Sequence, residues 1–465
     1  MNPRVFREYD IRGVADLDLE DSVVTAIGVA IGARARGGPV VVGRDCRLTS
    51  PRLCSALTDG IRVHCEVIDI GIVPTPVLYF AAQHLTPAAA VMITGSHNPP
   101  EDNGFKMIVG TETLHGPAIA QLRDQVTGIL AEPLPPPTKA MSSRDVLAAY
   151  HAAVQGQLRL GKRRFKIVVD AGNGAGGPTA VMLYKRLGFD VVPLYCDFDG
   201  RFPNHHPDPT QPENLADLIA TVAREGAELG IALDGDADRL GAVDATGRIL
   251  WGDQLMILFG KAILADVPDA KFVGEVKCSQ AMYDELAAAG GKVEMWKVGH
   301  SLIKARMKQT GAELGGEMSG HMFFAHRWFG FDDGIYAGAR LLELVTRSTR
   351  SLAELAAELP VMINTPELRI DCPDDLKFAL VAAVTERLRA DPAVTSVVDI
   401  DGVRAKFKGG WGLVRASNTG PVLVMRCEAR STDRLAEIKR LIDAHLEAAR
   451  HGLENPARHT LESPT

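Results

Sequence analysis

The sequence predicts an α/β protein of several domains, and three observations carry that prediction. The chain has 465 residues, enough for three or four domains of ~100–200 residues each. Hydrophobic residues make up 46% and charged residues 23%, the balance of an ordinary globular protein with large cores. Short β-branched runs alternate with longer amphipathic segments almost throughout, the signature of strand–helix–strand units with parallel-leaning sheets.

Taken in order, "PVVVGRD" (39–45) reads as a buried strand that stops at a glycine, and "CEVIDIG" (65–71) and "AAAVMITG" (88–95) as two more. Between the first two, "PRLCSALTDGIRV" (51–63) carries apolar residues at helical spacing behind a Thr-Ser N-cap. In such sheets ligands collect in the loops after the strands' C-terminal ends. The prolines of "AEPLPPPTKAMSSRD" (131–145) rule out a helix or a central strand and mark a boundary. Fresh α/β units open at "RRFKIVVDAGNGAGG" (163–177) and "AKFVGEVKCS" (270–279). Three units thus begin with a strand running into a polar loop, about one domain length apart, which suggests a weak internal repeat of architecture. A smaller fourth unit starts at "TPELRIDCPDD" (365–375), and the tail "HGLENPARHTLESPT" (451–465) reads as a polar surface extension.

Charge and cysteine usage narrow the function. Net charge is −7 and no lysine/arginine block stands out, which argues against nucleic acid, since phosphate neutralisation needs clustered cations. A small phosphorylated ligand needs only a local pocket. The seven cysteines (46, 54, 65, 196, 278, 372 and 427) are dispersed without a C-x-x-C pair, as expected of reduced thiols in the cytoplasm rather than of a disulfide framework or zinc site. The start "MNPRVFREYDIRG" lacks an apolar signal core, and no run approaches the ~20 apolar residues of a membrane span.

"IALDGDADRLGAV" (231–243) is the most specific feature. Asp234, Asp236 and Asp238 stand at i, i+2 and i+4, and in an extended loop that spacing turns all three to one face. Converging carboxylates would repel and push one toward protonation unless a divalent cation removes the conflict. Oxygen-only ligands on an open loop suit Mg²⁺. Such an ion keeps positions for water or phosphate, and Arg239 would aim a second positive group at the oxygens of a phosphoryl group there. "GEMSGH" (316–321) alternates Glu317, Ser319 and His321, one face of an extended loop fit to grip vicinal hydroxyls, with His321 a possible general base. "VRASNTGP" (414–421) offers Arg415, Ser417, Asn418 and Thr419 in a turn between two strands, an anion pocket by composition. "GNGAGG" (172–177) matches a dinucleotide fingerprint, with Asp197 downstream. However, Asp170-Ala171 precedes the first glycine and Pro178 opens the helix directly after it, which disfavours nicotinamide binding.

The stretch "ITGSHNPPEDNGFK" (93–106) holds Ser96. It is no hydrolase elbow, since G-x-S-x-G needs glycine at Asn98. A nucleophilic serine needs a base, and His97, adjacent in sequence, would be expected to diverge from it. Ser96 as a phosphate carrier, with Lys106 and His97 as cationic neighbours, would instead make the serine and the aspartates parts of one site.

At this point the chain resembles the α-D-phosphohexomutase family, most closely its bacterial phosphomannomutase/phosphoglucomutase branch. The likeness spans nearly the whole chain through motifs in family order: "YDIRG" (9–13), "TGSHNPP" (94–100), "DGDADR" (234–239), "VGHSLIK" (298–304), "GEMSGH" (316–321) and "RASNTG" (415–420). The resemblance implies three similar α/β mixed-sheet domains and a smaller C-terminal sheet-and-helix domain around a central cleft. The expected boundaries are 1–142, 147–248, 249–362 and 366–452, with 453–465 a polar tail. It implies that Ser96 is the phosphoserine and, with Asp234, Asp236 and Asp238, holds one Mg²⁺. Glu317 and Ser319 would bind sugar hydroxyls, and Arg415, Ser417, Asn418 and Thr419 the non-reacting phosphate. Tyr9, Arg12, Lys106, Arg239, Lys277, His300 and His321 would line the cleft, with acid/base duty among Lys106, Arg12 and His321. Gly420 stands where a second threonine is common. The implied reaction interconverts hexose 1- and 6-phosphates of mannose or glucose, with glucose or mannose 1,6-bisphosphate as activator. Met318 favours those sugars over amino sugars. Relatives acting on glucosamine phosphate, or silent in catalysis, are the alternatives. The expected partner is a small phosphosugar, bound by a monomer or weak dimer.

Overall fold

The valine- and isoleucine-rich runs become strands because branched side chains pack well on a pleated surface. In a computed structural model, which describes residues 1–418 and 420–454, Val40–Arg44 lies between Val67–Ile72 and Ala89–Ile93 and runs parallel to both. Asp102–Val109 then turns back antiparallel to Ala89–Ile93, and Ile11–Val14 pairs with its far side. Met141–Ser143 pairs with Val67–Ile72 at the opposite edge. It is a short exposed strand within the proline-marked boundary segment, whose prolines keep it from any central position.

The second sheet repeats this arrangement. Lys166–Asp170 lies between Asp190–Leu194 and Leu229–Leu233, parallel to both, and Leu240–Asp244 returns antiparallel to Leu229–Leu233. The third sheet runs in the order Lys292–Trp296, Lys271–Glu275, Leu314–Gly316, Met322–Phe324, the last two antiparallel. With Ile11–Val14 of the first sheet set aside, each sheet thus sets its first strand between its second and third and hangs an antiparallel fourth on the third. The repeat hinted at by the spacing of units is one of topology. It places three loops equivalently, each joining third strand to fourth: residues 94–101, 234–239 and 317–321.

The last sheet differs in kind. Ile363–Asn364, Val422–Ala429, Gly410–Ala416, Val403–Phe407 and Val394–Val398 follow one another, all antiparallel, and Leu368–Asp371 also pairs with Val422–Ala429. Helices Lys377–Ala390 and Thr432–Glu454 bury Leu380, Val384, Ile438 and Ile442 in one core with Val403, Val414 and Leu423. The final helix therefore runs past residue 452, where a polar tail was expected to begin, and residues 455–465 lie outside the described part.

Two compact units emerge. One comprises Met1–Val273, Leu286–Val293 and Gly299–Glu358; the other comprises Gly274–Glu285, Glu294–Val298 and the chain from Leu359. One local expectation fails. Helix Ser50–Ile61 starts behind Thr49 without a side-chain cap. The Ser50 hydroxyl instead donates to Asp45 (2.5 Å), and Thr49 Oγ1 accepts from the Asn103 amide (3.0 Å).

Candidate active site

Within the first unit, the three equivalent loops bring their polar residues together. Ser96 is buried at 2% exposure, not a surface turn residue, and its backbone is left-handed at φ +51°. That conformation is uncommon outside glycine. Its N–H donates to Thr94 Oγ1 (2.8 Å), and its hydroxyl donates to Asp234 Oδ2 (3.0 Å). The same twist swings the His97 ring back, so Nδ1 lies 3.1 Å from Ser96 Oγ. The expected divergence of these neighbours is thus wrong, and the reason is the left-handed backbone at Ser96 itself. Burial first, then Arg239 and Arg12, push the His97 pKa well below its ordinary value.

Asp234, Asp236 and Asp238 are all fully buried, and one oxygen from each lies within 4.8 Å of the others. An extended strand does not achieve this. Residues 235–237 form a turn with Ala237 at φ +59°, and the turn folds the carboxylates inward. Burial, then Asp238 and Asp236, raise the Asp234 pKa well above the carboxylate range, the repulsion the spacing foretold. Burial also disfavours the Asp238 charge, but Lys106 and His321 hold its pKa well below the ordinary value. Lys106 Nζ donates to Asp236 Oδ2 (2.7 Å) and Asp238 Oδ2 (2.5 Å). Burial opposes the Lys106 charge; Asp236 and Asp238 more than compensate, raising its pKa well above the ordinary value. Thr75 also donates to Asp236 Oδ2 (2.5 Å), across 161 residues of chain. Asp236 Oδ1 is buried without a hydrogen-bond partner, and the buried Asp238 Oδ1 faces only the His321 ring. Three buried carboxylates, one with an orphaned oxygen, beside a serine hydroxyl form a donor set that fits a hard divalent cation.

The third loop also turns rather than extends, with Gly320 at φ +94°. Glu317 Oε2 lies 2.7 Å from His321 Nδ1, and Ser319 Oγ lies 3.1 Å from the same nitrogen. His321 Nε2 faces Asp238 Oδ1 at 3.2 Å. Burial would lower the His321 pKa, but Asp238 and Glu317 outweigh it and push the pKa up to about 10. Arg239 and His321 share a backbone bridge, and Leu240 N–H donates to Gly320 O (3.0 Å), which joins the second loop to the third. Arg239 Nε sits 3.3 Å from His321 Nε2 and 3.8 Å from Asp234.

Arg12 reaches the Ser96 loop, donating to Asn98 Oδ1 (2.6 Å) and Asp10 (2.7 Å). The Tyr9 ring covers Gly299, whose absent Cβ would fall 2.6 Å from it, and meets His300 edge-on. Burial, then Lys304 and Lys106, lower the His300 pKa well below its ordinary value. Asp332, fully buried, accepts from Lys304 (2.8 Å) and faces His300 Nδ1 at 3.6 Å. The glycine fingerprint is spent on packing. A Cβ at Gly174 would lie 2.6 Å from Gly235 O, one at Gly176 2.5 Å from the Ala237 Cβ, and Ala175 N–H donates to Gly235 O (2.9 Å). It underlies the aspartate loop.

In the second unit, Lys277 Nζ pairs with Glu367 (3.2 Å) and Glu275 (3.7 Å). The carbonyls of residues 276 and 278 accept from Arg404 (2.6 and 2.8 Å), and that of Lys277 from Arg426 (2.8 Å). Arg415 pairs with Asp401 at 3.1 Å. Ser417 and Asn418 follow on the turn between Gly410–Ala416 and Val422–Ala429, and Thr419 lies outside the described residues. Sequence patterns did not mark Thr75, Asp332, Arg404 or Arg426, because each acts on a residue far along the chain.

Four family models match the chain: phosphoglucomutase/phosphomannomutase α/β/α domains I (residues 3–131), II (148–247) and III (251–362), and the C-terminal domain (367–445). The chain belongs to the phosphoglucomutase/phosphomannomutase family. A phosphomannomutase/phosphoglucomutase of Pseudomonas aeruginosa is 46% identical over 456 residues, 97% of each chain. A phosphoglucomutase of Neisseria gonorrhoeae is 44% identical over 453 residues, 96% of this chain and 97% of its own. Among solved structures, a family protein from Burkholderia thailandensis superposes with a TM-score of 0.89 at 42% identity, covering 97% of this chain and 99% of its own.

Proposed function

We propose that this member of the family is a phosphohexomutase that interconverts the 1- and 6-phosphates of mannose and glucose through phosphorylated Ser96 and a 1,6-bisphosphate intermediate. One observation carries the reading: a buried serine hydroxyl 3.0 Å from Asp234, within a cluster of three buried aspartates fit for a divalent cation.

Phosphorylated Ser96 gives its phosphoryl group to a sugar hydroxyl. The bond from phosphorus to Ser96 Oγ breaks, a bond to the sugar oxygen forms, and the hydroxyl proton leaves. The bisphosphate turns end for end, Ser96 Oγ takes back the other phosphoryl group, and the isomeric monophosphate departs. Asp234, Asp236, Asp238 and a phosphoryl oxygen on Ser96 would hold one Mg²⁺, which supplies neutralisation of charge at the transferring group. Lys106 and Arg239 add positive charge at the same place. We assign the proton exchange to His321, Arg12 and Lys106: the one that accepts the sugar's proton must first have given up its own, and it returns that proton in the second transfer. Glu317 and Ser319 grip sugar hydroxyls, assisted by Tyr9 and His300. Lys277, Arg415, Ser417 and Asn418, with Thr419 by motif, take the non-reacting phosphate.

Met318, unable to accept or donate a strong hydrogen bond, favours use of both glucose and mannose phosphates. A catalytic bisphosphate activator would restore phosphoserine lost to water. The domains run over 1–142, 147–248, 249–362 and from 366 to the end of the last helix at 454, and the protein works as a monomer or weak dimer in the cytoplasm. Seven free cysteines suit a reducing compartment, and no helix among the described residues is long and apolar enough to cross a membrane.

The test is phosphorus NMR of the protein with Mg²⁺, a trace of glucose 1,6-bisphosphate, and equal mannose and glucose 1-phosphates. Both 6-phosphates should form, and Ser96→Ala should form neither beyond a small residual. A single product would overturn dual use. Neither product from these sugars, but turnover of glucosamine 1-phosphate, would move the chain to the amino-sugar branch.

A further inference from the structure

One buried side chain outside the six motifs organises the whole Ser96 loop. Arg47 is 1% exposed. Its guanidinium donates to Ser96 O (2.7 Å), Asn98 O (2.7 Å), Asp102 O (2.9 Å) and Pro99 O. Asp45, itself buried, faces Arg47 Nε at 3.2 Å and accepts from the N–H groups of Arg47 (3.0 Å) and Gly95 (3.2 Å). The Phe202 ring lies beneath the guanidinium at 5.0 Å. A buried charge is costly unless paired and hydrogen-bonded, and here the partners are the main chain on both sides of the serine.

The loop has its own reason to need this. Ser96 sits in the left-handed region, a conformation that persists only where the surroundings over-determine it. Two prolines follow Asn98, so few main-chain N–H groups are available to tie the loop to itself. A planar fork with five donors can gather four carbonyls at fixed angles; a lysine ammonium, a point charge with three donors, cannot. Gly95 leaves the room, since a Cβ there would fall 2.6 Å from the guanidinium carbon.

We propose that Arg47, held by Asp45, is the positioning residue for phosphoryl transfer, fixing residues 95–102 so that the Ser96 hydroxyl meets the aspartate loop. The inference rests on Ser96 being the phosphoryl carrier.

The experiment uses the full chain as wild type, Arg47→Lys, Arg47→Ala and Gly95→Ala. Each is incubated with Mg²⁺ and glucose 1,6-bisphosphate, and Ser96 phosphorylation is timed by intact mass. Glucose 1-phosphate turnover and the thermal unfolding midpoint are measured alongside. Arg47→Lys should unfold cooperatively and keep KM within about threefold, while kcat and the phosphorylation rate fall about 100-fold, the usual penalty for misplacing a reacting group by an ångström. Gly95→Ala, which crowds the guanidinium (2.6 Å) and the Asp102 carbonyl it holds (2.7 Å) without removing either, should give the same split. Guanidinium ion at tens of millimolar should raise Arg47→Ala turnover about tenfold and leave the wild type unchanged. Wild-type rates in Arg47→Lys, or losses in all three variants that follow only the unfolded fraction and ignore guanidinium, would overturn the proposal. A wild type that never gains phosphoryl mass at Ser96 overturns the carrier reading, and the inference with it. That result is read on the wild type alone, so the two failures are distinct.

Discussion

The Ser96 loop in the first unit and the turn between Ser417 and Gly420 in the second use one device at two strengths. Each turns main-chain carbonyls onto a buried cation from another element. Arg47 collects four carbonyls and is itself pinned by a buried carboxylate. Lys377 collects two, Ser417 O (2.7 Å) and Gly420 O (3.1 Å), and its carboxylate partner Asp374 is 69% exposed. A group that transfers phosphoryl must be held to a fraction of an ångström. A turn that, as proposed, takes a phosphate in either of two substrate orientations would need only donors and some freedom. The contrast therefore separates rate from affinity. Changes around Ser96 should act on kcat, and changes around Ser417 on KM.

The largest effect is expected at Ser96 itself. Ser96→Ala should lower kcat by about a thousandfold or more without altering the fold, because the other hydroxyl at the aspartates, that of Thr75, is turned to Asp236 and not to Asp234. Activity within tenfold of wild type would break the comparison outright. Next, Arg415→Lys should raise KM for glucose 1-phosphate by about 10–100-fold and change kcat far less, since a lysine keeps the charge but loses the fork. A kcat loss at unchanged KM would place Arg415 on the wrong side of the contrast.

Lys377→Met should be milder. It leaves two carbonyls short of a donor and should cost about 1–3 kcal/mol in urea unfolding, with a severalfold rise in KM. An unchanged KM would mean the turn holds its shape without Lys377.

The smallest effect concerns pH. His205 Nε2 lies 3.1 Å from Asp170, beside the glycine run under the aspartate loop. Burial would lower the His205 pKa, but the hydrogen bond and charge of Asp170 outweigh it and raise the pKa above the ordinary 6.5. The folded state therefore holds the proton more tightly. The pair's stabilisation is complete below that ordinary value and is lost as pH rises through the folded value. The stability gap between wild type and His205→Gln should accordingly be widest near about pH 6 and close at higher pH. A gap that widens with pH would reverse the sign.

Much of the fold was legible because its signals are local. Branched runs such as Val40–Arg44 and Ala89–Ile93 declare themselves as strands within a residue or two, and Gly410–Ala416 and Val422–Ala429 flank their turn as read. The motifs were legible as residue types in order. Their conformations were not. The aspartate and Glu317 loops were read as extended from the alternation of their side chains, whereas both are turns. Nor did the pair Thr49-Ser50 at the start of Ser50–Ile61 cap its helix, because Asp45 and Asn103 compete for the hydroxyls.

By itself, then, the sequence determined the class and the order of the units, and it marked the serine, aspartates and arginine that we propose for the chemistry, since periodicity and motif spacing are properties of neighbouring residues. Tertiary structure alone decided that His97 turns back on Ser96, that Thr75 and Lys106 share Asp236 Oδ2, and that Arg47 and Lys377 hold their loops. Arg47 lies 49 residues from Ser96, and Thr75 lies 161 from Asp236. No local pattern marks such partners, because it is the packing of sheets that brings them within hydrogen-bond reach.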